Sequence, residues 1–404
     1  MTAPAGRGAG RTEGGGTLEP AERAAWFSAW ERGILRAAER RHCDRETGEE
    51  IGWLVSPFLM GFWHAHRLTG EERWLERFED WAGAWIRRGV REPDGYTGWP
   101  KEQGASTHAV PDLLTDNMLG EAMALRPVLR MATALLGAPV AAERRARARA
   151  WLEINRHVAE KWEARGCWRP VGGGGVWVVP PFGIDRATGG WTAAYARRAE
   201  DGFSLPANKQ NLVALWMLDL HAATGEPRYR DRAELWFRTM RARMRLQDGG
   251  RFWVWNYWDP AGPWDLRADG SPRHWVGVHP NGGYYAIDAE GLVAAHEHGL
   301  GIGEEDLGRL IATNRDHMWN GQITGARFRR IDGGDPDPRW AERPGCLWTA
   351  LVPHDATLRR IFEANHDPGG WGGLAATPWY LGLEAEGSGG RPGDPGSAPA
   401  PGAP

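Results

Sequence analysis

The stretch from Arg251 to His298 mixes aromatic rings with groups that carry charge or protons. It runs through Phe252, Trp253, Trp255, Tyr257, Trp258, Asp259 and Trp264, then Arg273, His274 and Trp275. It closes on His279-Pro280-Asn281-Gly282-Gly283-Tyr284-Tyr285 before a helical run to His298. A core segment is apolar and periodic; here glycines and prolines break any period, which suits loops and helix ends whose rings stack on a ligand while polar groups orient it. On the helix that follows, Tyr285 shares a face with Ala289, Leu292, Val293 and His296, while Tyr284 shares one with Asp288 and Gly291. One tyrosine can therefore pack inward and the other enter a cleft, and the pattern does not choose between them. A phenol titrates at about 10. A neighbouring cation or imidazole favours the phenolate, so the group can act as base in one form and acid in the other.

Two helix entrances offer complementary groups. Leu205-Pro206-Ala207-Asn208-Lys209-Gln210-Asn211 sets three amide side chains in four residues, more than a helix cap needs. An Asn such as Asn208 at a helix N-terminus can hold a carboxylate with help from the local dipole, and Gln210 stands beside it. Thr115-Asp116-Asn117 enters another helix the same way; Asp116 reads as its cap and Asn117 as the residue facing a cavity. Arg273, next to His274, can grip a carboxylate in a two-pronged contact, or it is a solvated surface charge. Asp112, Asp116, Asp259, Asp265 and Asp288 are the carboxylates to consider for glycoside hydrolysis, and no spacing singles out a pair. Gly172 to Gly175 is not a phosphate loop, since no Lys-Ser/Thr follows, and neither His64/His66 nor His296/His298 has the i, i+4 spacing of a helical zinc pair. The expectation is no metal and no cofactor.

Composition narrows the class. With 404 residues, 25% charged and 42% hydrophobic, the chain is an ordinary globular one, and a net charge of −3 gives no basic stripe for nucleic acid. No apolar run is long enough to span a bilayer. Cys43, Cys167 and Cys346 are too few and too scattered for a disulfide framework or a metal site, which suggests a reducing compartment. Tryptophan is the outlier, at 25 residues against 7 Tyr and 10 Phe. Core filling accounts for more than half of them, Trp74, Trp81 and Trp236 included. Trp253, Trp255, Trp258, Trp264 and Trp275, set among Gly and Pro, read instead as rings for stacking on sugar faces.

The elements that must position these residues read as helical hairpins. Residues 1–17 and the Gly/Pro/Ser-rich residues 386–404 read as disordered tails around a folded part of residues 18–385. Residues 1–17 hold no apolar segment, so the expectation is a cytoplasmic protein, the alternative being a start misassigned downstream of an export signal. Helices are expected over Glu19–His42, Ile51–Leu68 and Glu71–Arg88. The turn Thr69-Gly70-Glu71 recurs as Thr224-Gly225-Glu226, followed in both copies by aligned Arg, aromatic, Arg, Glu and Trp positions. Each copy is an inner apolar helix and an outer amphipathic one. Looser copies span Asp116–Gly137 with Ala141–Arg165, and Asn281–Gly299 with Glu304–Trp319; a last pair falls within Arg339–Asn365. Short strands fit Gly175–Val179 and Phe252–Trp255. The fold class is thus all-α, an (α/α) toroid of five to seven hairpins. The long segments Glu92–Thr115, Cys167–Pro206, Gln247–Pro280 and Ile323–Pro344 wall a cleft at one end.

The LPANKQN entrance, the TGEPRYRDRAELWF hairpin and the WNYWDPAGPWD…RHWVGVHPNGGYYAIDAEGL stretch resemble polysaccharide lyases with (α/α) barrels, the alginate and glucuronan lyases of polysaccharide lyase family 38 above all, over roughly residues 50–320. The resemblance implies a uronate-containing polysaccharide as substrate and cleavage by β-elimination without a cofactor. It implies Tyr285 or Tyr284 as acid and base, His279 as the activating partner, and Asn208 with Arg273 as the carboxylate clamp. Asn117, Gln210, Trp253, Trp255, Tyr257, Trp258, His274, Trp275 and Asn281 are then the substrate-binding set. The rival readings are an inverting glycoside hydrolase, a uronate epimerase, and a non-catalytic glycan-binding protein.

Overall fold

The computed structural model describes residues 18–101, 113–179, 183–192, 202–335, 338 and 346–386. Eleven α-helices occur among them: α1 Pro20–Ala38, α2 Ser56–Thr69, α3 Glu72–Ile86, α4 Met118–Gly137, α5 Ala142–Ala164, α6 Ala207–Thr224, α7 Pro227–Arg243, α8 Gly283–Glu297, α9 Glu304–Ala312, α10 Ala356–Asn365 and α11 Gly373–Glu386. The inner helices neighbour one another in the order α2, α4, α6, α8, then a 3₁₀ turn over Thr349–His354, and α11 returns to α2. Their outer partners are α3, α5, α7, α9, α10 and α1. This is an (α/α) toroid of six hairpins, in which the last helix pairs with the first.

The repeated turn is the same structure twice. Gly70 and Gly225 end α2 and α6 at φ 67° and 71°, in the left-handed region that glycine enters without a Cβ clash. Thr69 and Thr224 each donate back to a carbonyl four residues earlier and accept the N–H of Glu71 and Glu226. His66 and His221 each bring a ring nitrogen to the carbonyl that follows, at 3.2 and 3.0 Å. Sequence identity at the turn thus reflects one hydrogen-bond circuit.

Differences from expectation cluster where helices lie inside the ring. The second expected helix opens as a π turn, Ile51–Val55, before α2. The first ends at Ala38, with a separate 3₁₀ turn at His42–Asp44. The fifth inner element is only the 3₁₀ turn, interrupted by Pro353. Helix α11 was not expected, and it closes the ring. An inner helix is apolar on most sides, so it shows little amphipathic period, and α11 also carries Pro378. Residues 1–17 and 387–404 lie outside the described residues, as does Arg339–Pro344.

Packing is dominated by aromatic rings. Trp30, Trp74, Trp85, Trp99, Trp216, Trp236, Trp255 and Trp348 are all fully buried. Small residues set the closest approach of inner helices: a Cβ on Gly291 of α8 would meet Asn211 Oδ1 of α6 at 2.7 Å. The strands are short antiparallel ribbons, among them Trp168–Val171 with Gly174–Trp177 and Arg245–Gln247 with Phe252–Val254. No described helix is long and apolar enough to cross a membrane.

Candidate active site at the inner-helix entrances

Four inner helices send their N-terminal ends to one rim, and loops stitch them together. Ala207 N–H donates to Tyr257 O, and Tyr257 N–H to Gly277 O, so the aromatic loop is bonded to the entrance of α6. Asn281 Oδ1 accepts Gly283 N–H at 3.0 Å and starts α8. Between them lies a cleft of about 440 Å³ whose wall includes Phe203, Lys209, Tyr257, Trp258, Trp275 and His279. Trp275 is 48% exposed at its mouth.

The structure separates the two tyrosines. Tyr285 is fully buried, packs against Trp255, and its hydroxyl accepts the backbone N–H of His279 at 2.9 Å. Burial pushes its phenol well above the ordinary value. It bolts the His279 turn to the helix, and the expectation that it faces substrate does not hold. Tyr284 is half-buried, stacks on Tyr257 with centroids 5.1 Å apart, and meets the His279 ring edge-on at 4.7 Å.

His279 differs from the expected cation. Its Nδ1 accepts the Asn281 N–H at 3.0 Å, which leaves the neutral ring's proton on Nε2. Partial burial lowers its pKa, favouring the same neutral form. The ring is a hydrogen-bond donor through Nε2 and carries no fixed positive charge.

A cation does reach the cleft, from a residue outside the expected set. Lys209 lines it, and its Nζ lies 2.9 Å from each oxygen of Glu49. Glu49 also accepts Trp53 Nε1 at 3.0 Å and Asn117 Nδ2 at 3.3 Å. One carboxylate thereby joins the entrances of α2, α4 and α6. The clue was in the composition: lysine occurs only at positions 101, 161 and 209 in a chain whose other cationic side chains are arginines.

Several expected ligand contacts turn out to be architecture. Asn117 caps α4, its Oδ1 accepting Gly120 N–H at 2.9 Å. Asp116, expected to cap, sits instead in a buried ion cluster with Lys161, Arg165, Glu92 and Glu121. Gln210 spends its amide on both backbone groups of Trp177 and on Leu205 O. Asn208 is 1% exposed, with Oδ1 unpaired among the described residues, so it is sealed from a polymer. Arg273 donates to Trp264 O at 2.8 Å and stiffens its own loop. His274 lies flat on Trp258 at 4.1 Å, its side chain buried near Asp265. Trp253 and Trp255 are core; Trp255 Nε1 donates to Asp288.

The expected carboxylates are likewise committed. Asp265 accepts Ser204 N–H, Ser204 Oγ–H and Ala261 N–H, and Asp259 accepts Asn256. Asp288 is buried between Asn211 and Trp255, where desolvation pushes it up to about 7. Asp112 lies outside the described residues. No cluster of three or more potential metal ligands occurs among the described residues.

No protein-family model and no curated protein sequence matches the chain. Solved structures of similar shape include the cellobiose 2-epimerase of Spirochaeta thermophila DSM 6192, 14% identical over 90% of this chain and 84% of that one, with a TM-score of 0.48. A polysaccharide lyase is 11% identical over 90% and 98% of the two chains, at a TM-score of 0.46. The α-1,6-mannanase of Salegentibacter sp. HEL1_6 is 12% identical over 89% and 99%, at 0.43. These likenesses concern overall shape, and the three proteins carry out three different reactions on carbohydrates.

Proposed function

We propose that the protein is a glycan-processing enzyme that cleaves a uronate-containing polysaccharide by β-elimination. The observation that supports it is Tyr284 set edge-on against the ring of His279, which lines the cleft together with Lys209. In this reading Tyr284, as phenolate, takes the proton from C5 of the uronate. The C–H electrons form the C4–C5 double bond, the C4–O4 bond breaks, and the phenol returns its proton to O4. His279 Nε2–H stabilises the phenolate, and Lys209 neutralises charge building on the carboxylate. Removing a donor of that kind costs about 3 kcal/mol of transition-state stabilisation. Tyr257, Trp258 and Trp275 supply the ring faces for sugar stacking. Lys209 takes the clamp role first expected of Asn208 and Arg273.

Incubation with alginate, glucuronan and related polyuronates tests this, read as the near-ultraviolet absorbance of an unsaturated uronyl end. Absence of that product on all of them across a pH series sinks the reading. One observation favours a hydrolase instead: Glu49, the carboxyl group at the same rim, accepts hydrogen bonds from three donors, Trp53, Asn117 and Lys209. Saturated reducing ends, abolished in Glu49→Gln and retained in Tyr284→Phe, mark that outcome; proton exchange at C5 without chain cleavage marks an epimerase.

A further inference from the structure

Lys209 is the ammonium of the cleft wall, and its geometry with Glu49 leaves it partly used. An ammonium has three N–H donors. Two distances of 2.9 Å engage the two oxygens of Glu49, and the third N–H has no partner among the described residues. Glu49 is itself fixed by Trp53, in the π turn Ile51–Val55, and by the α4 cap Asn117. The pair is largely withdrawn from solvent, with side chains 10% and 18% exposed. π turns inside helices recur at functional sites, and this one presents Trp53 to the carboxylate.

We propose that Glu49 is the specificity-setting counter-ion of a carboxylate subsite, with Lys209 shared between Glu49 and the carboxylate of an acidic sugar. The proposal rests on the uronate reading above for the kind of sugar, and on the ion pair for everything else. A lysine suits the task because its donors rotate around a point charge; an arginine fork engaged by one carboxylate would present no such free rotor. Glu49 holds the ammonium in place and cancels most of its field, so a neutral sugar and a non-specific anion both gain little. An acidic sugar seated on the ring faces of Tyr257 and Trp275 brings its carboxylate to the third donor. Repulsion from Glu49 keeps that contact moderate, which limits how tightly an acidic product is retained.

The test compares D-glucuronate with D-glucose, binding being followed by quenching of tryptophan fluorescence in wild type, Glu49→Gln and Lys209→Met. Gln keeps an oxygen for Trp53 and Lys209 and removes the charge. Wild type should prefer glucuronate by about tenfold, Glu49→Gln should widen that ratio by about a further tenfold, and Lys209→Met should abolish it. A ratio in Glu49→Gln equal to or below that of wild type overturns the proposal, as does discrimination that survives in Lys209→Met. Circular dichroism establishes that each variant is folded; where Glu49→Gln is not, the Lys209→Met result decides. Neither monosaccharide has a glycosidic leaving group, so the readout is independent of elimination. A chain inert on polyuronates that shows both shifts loses the lyase reading and keeps the subsite. A working lyase with an unshifted ratio does the reverse.

Discussion

Asp288 allows a perturbation whose size follows from the structure. It lies on α8 one turn beyond Tyr284, and its two oxygens accept Asn211 Nδ2 at 2.7 Å and Trp255 Nε1 at 2.8 Å. Asn211 cannot reverse its amide, because its own oxygen accepts Trp236 Nε1. Burial outweighs these two bonds and raises the carboxyl from 3.8 to about 7. A carboxyl raised on folding is a group whose contribution declines as pH climbs from the unfolded value to the folded one. For these values the loss is about 1.7 kcal/mol at pH 5 and about 4 kcal/mol at pH 8. Asp288→Asn removes that dependence. It also sets an N–H against one of the two donors, a pH-independent cost of about 1–3 kcal/mol. The variant should therefore gain on wild type by about 2–3 kcal/mol between pH 5 and pH 8. Urea denaturation at both pH values measures this, and taking the difference between the two proteins cancels the buried cluster around Lys161, which they share. Parallel stability curves across that range would show that Asp288 is ionised throughout and would refute the reasoning.

Other outcomes follow from the same arrangement. Tyr284→Phe should lower kcat by about 10²- to 10⁴-fold with an unchanged melting temperature, measured on whichever polyuronate is cleaved. Tyr285→Phe should instead cost about 1–3 kcal/mol of stability by orphaning the His279 N–H, read by thermal or urea unfolding. Lys161→Met leaves Asp116, Glu121 and Glu92 buried with Arg165 as their remaining cationic partner in the cluster, and should destabilise by about 3–5 kcal/mol in urea. Because burial lowers the pKa of His279 and the proposed reading uses its neutral ring, kcat/KM should show an added acid break below pH 6.5, beneath the one set by phenolate formation, and that break should be absent in His279→Gln.

The sequence by itself determined the hairpin repeat, the toroid class and the rim that carries the aromatic loop. Those features are local: Thr-Gly-Glu builds its turn from its own neighbours, and the Gly/Pro-broken run from Arg251 onward announces a loop wherever it lies. It also offered two adjacent tyrosines, Tyr284 and Tyr285, as candidates for a reactive phenol. Tertiary structure decided which of the two is free, since the Tyr285 hydroxyl is spent on a backbone N–H six residues earlier and Tyr284 rests on Tyr257. It also decided which polar groups are committed. Asn117, Gln210, Arg273 and His274 are site residues by type and scaffold by partner, because a buried donor or acceptor must be paired: Gln210 bonds the distant Trp177, while Asn117 caps its own helix and Arg273 ties its own loop. Glu49 and Lys209 were hidden for the complementary reason. They stand 160 positions apart, on the entrances of different hairpins, and only ring closure places their charges 2.9 Å from each other.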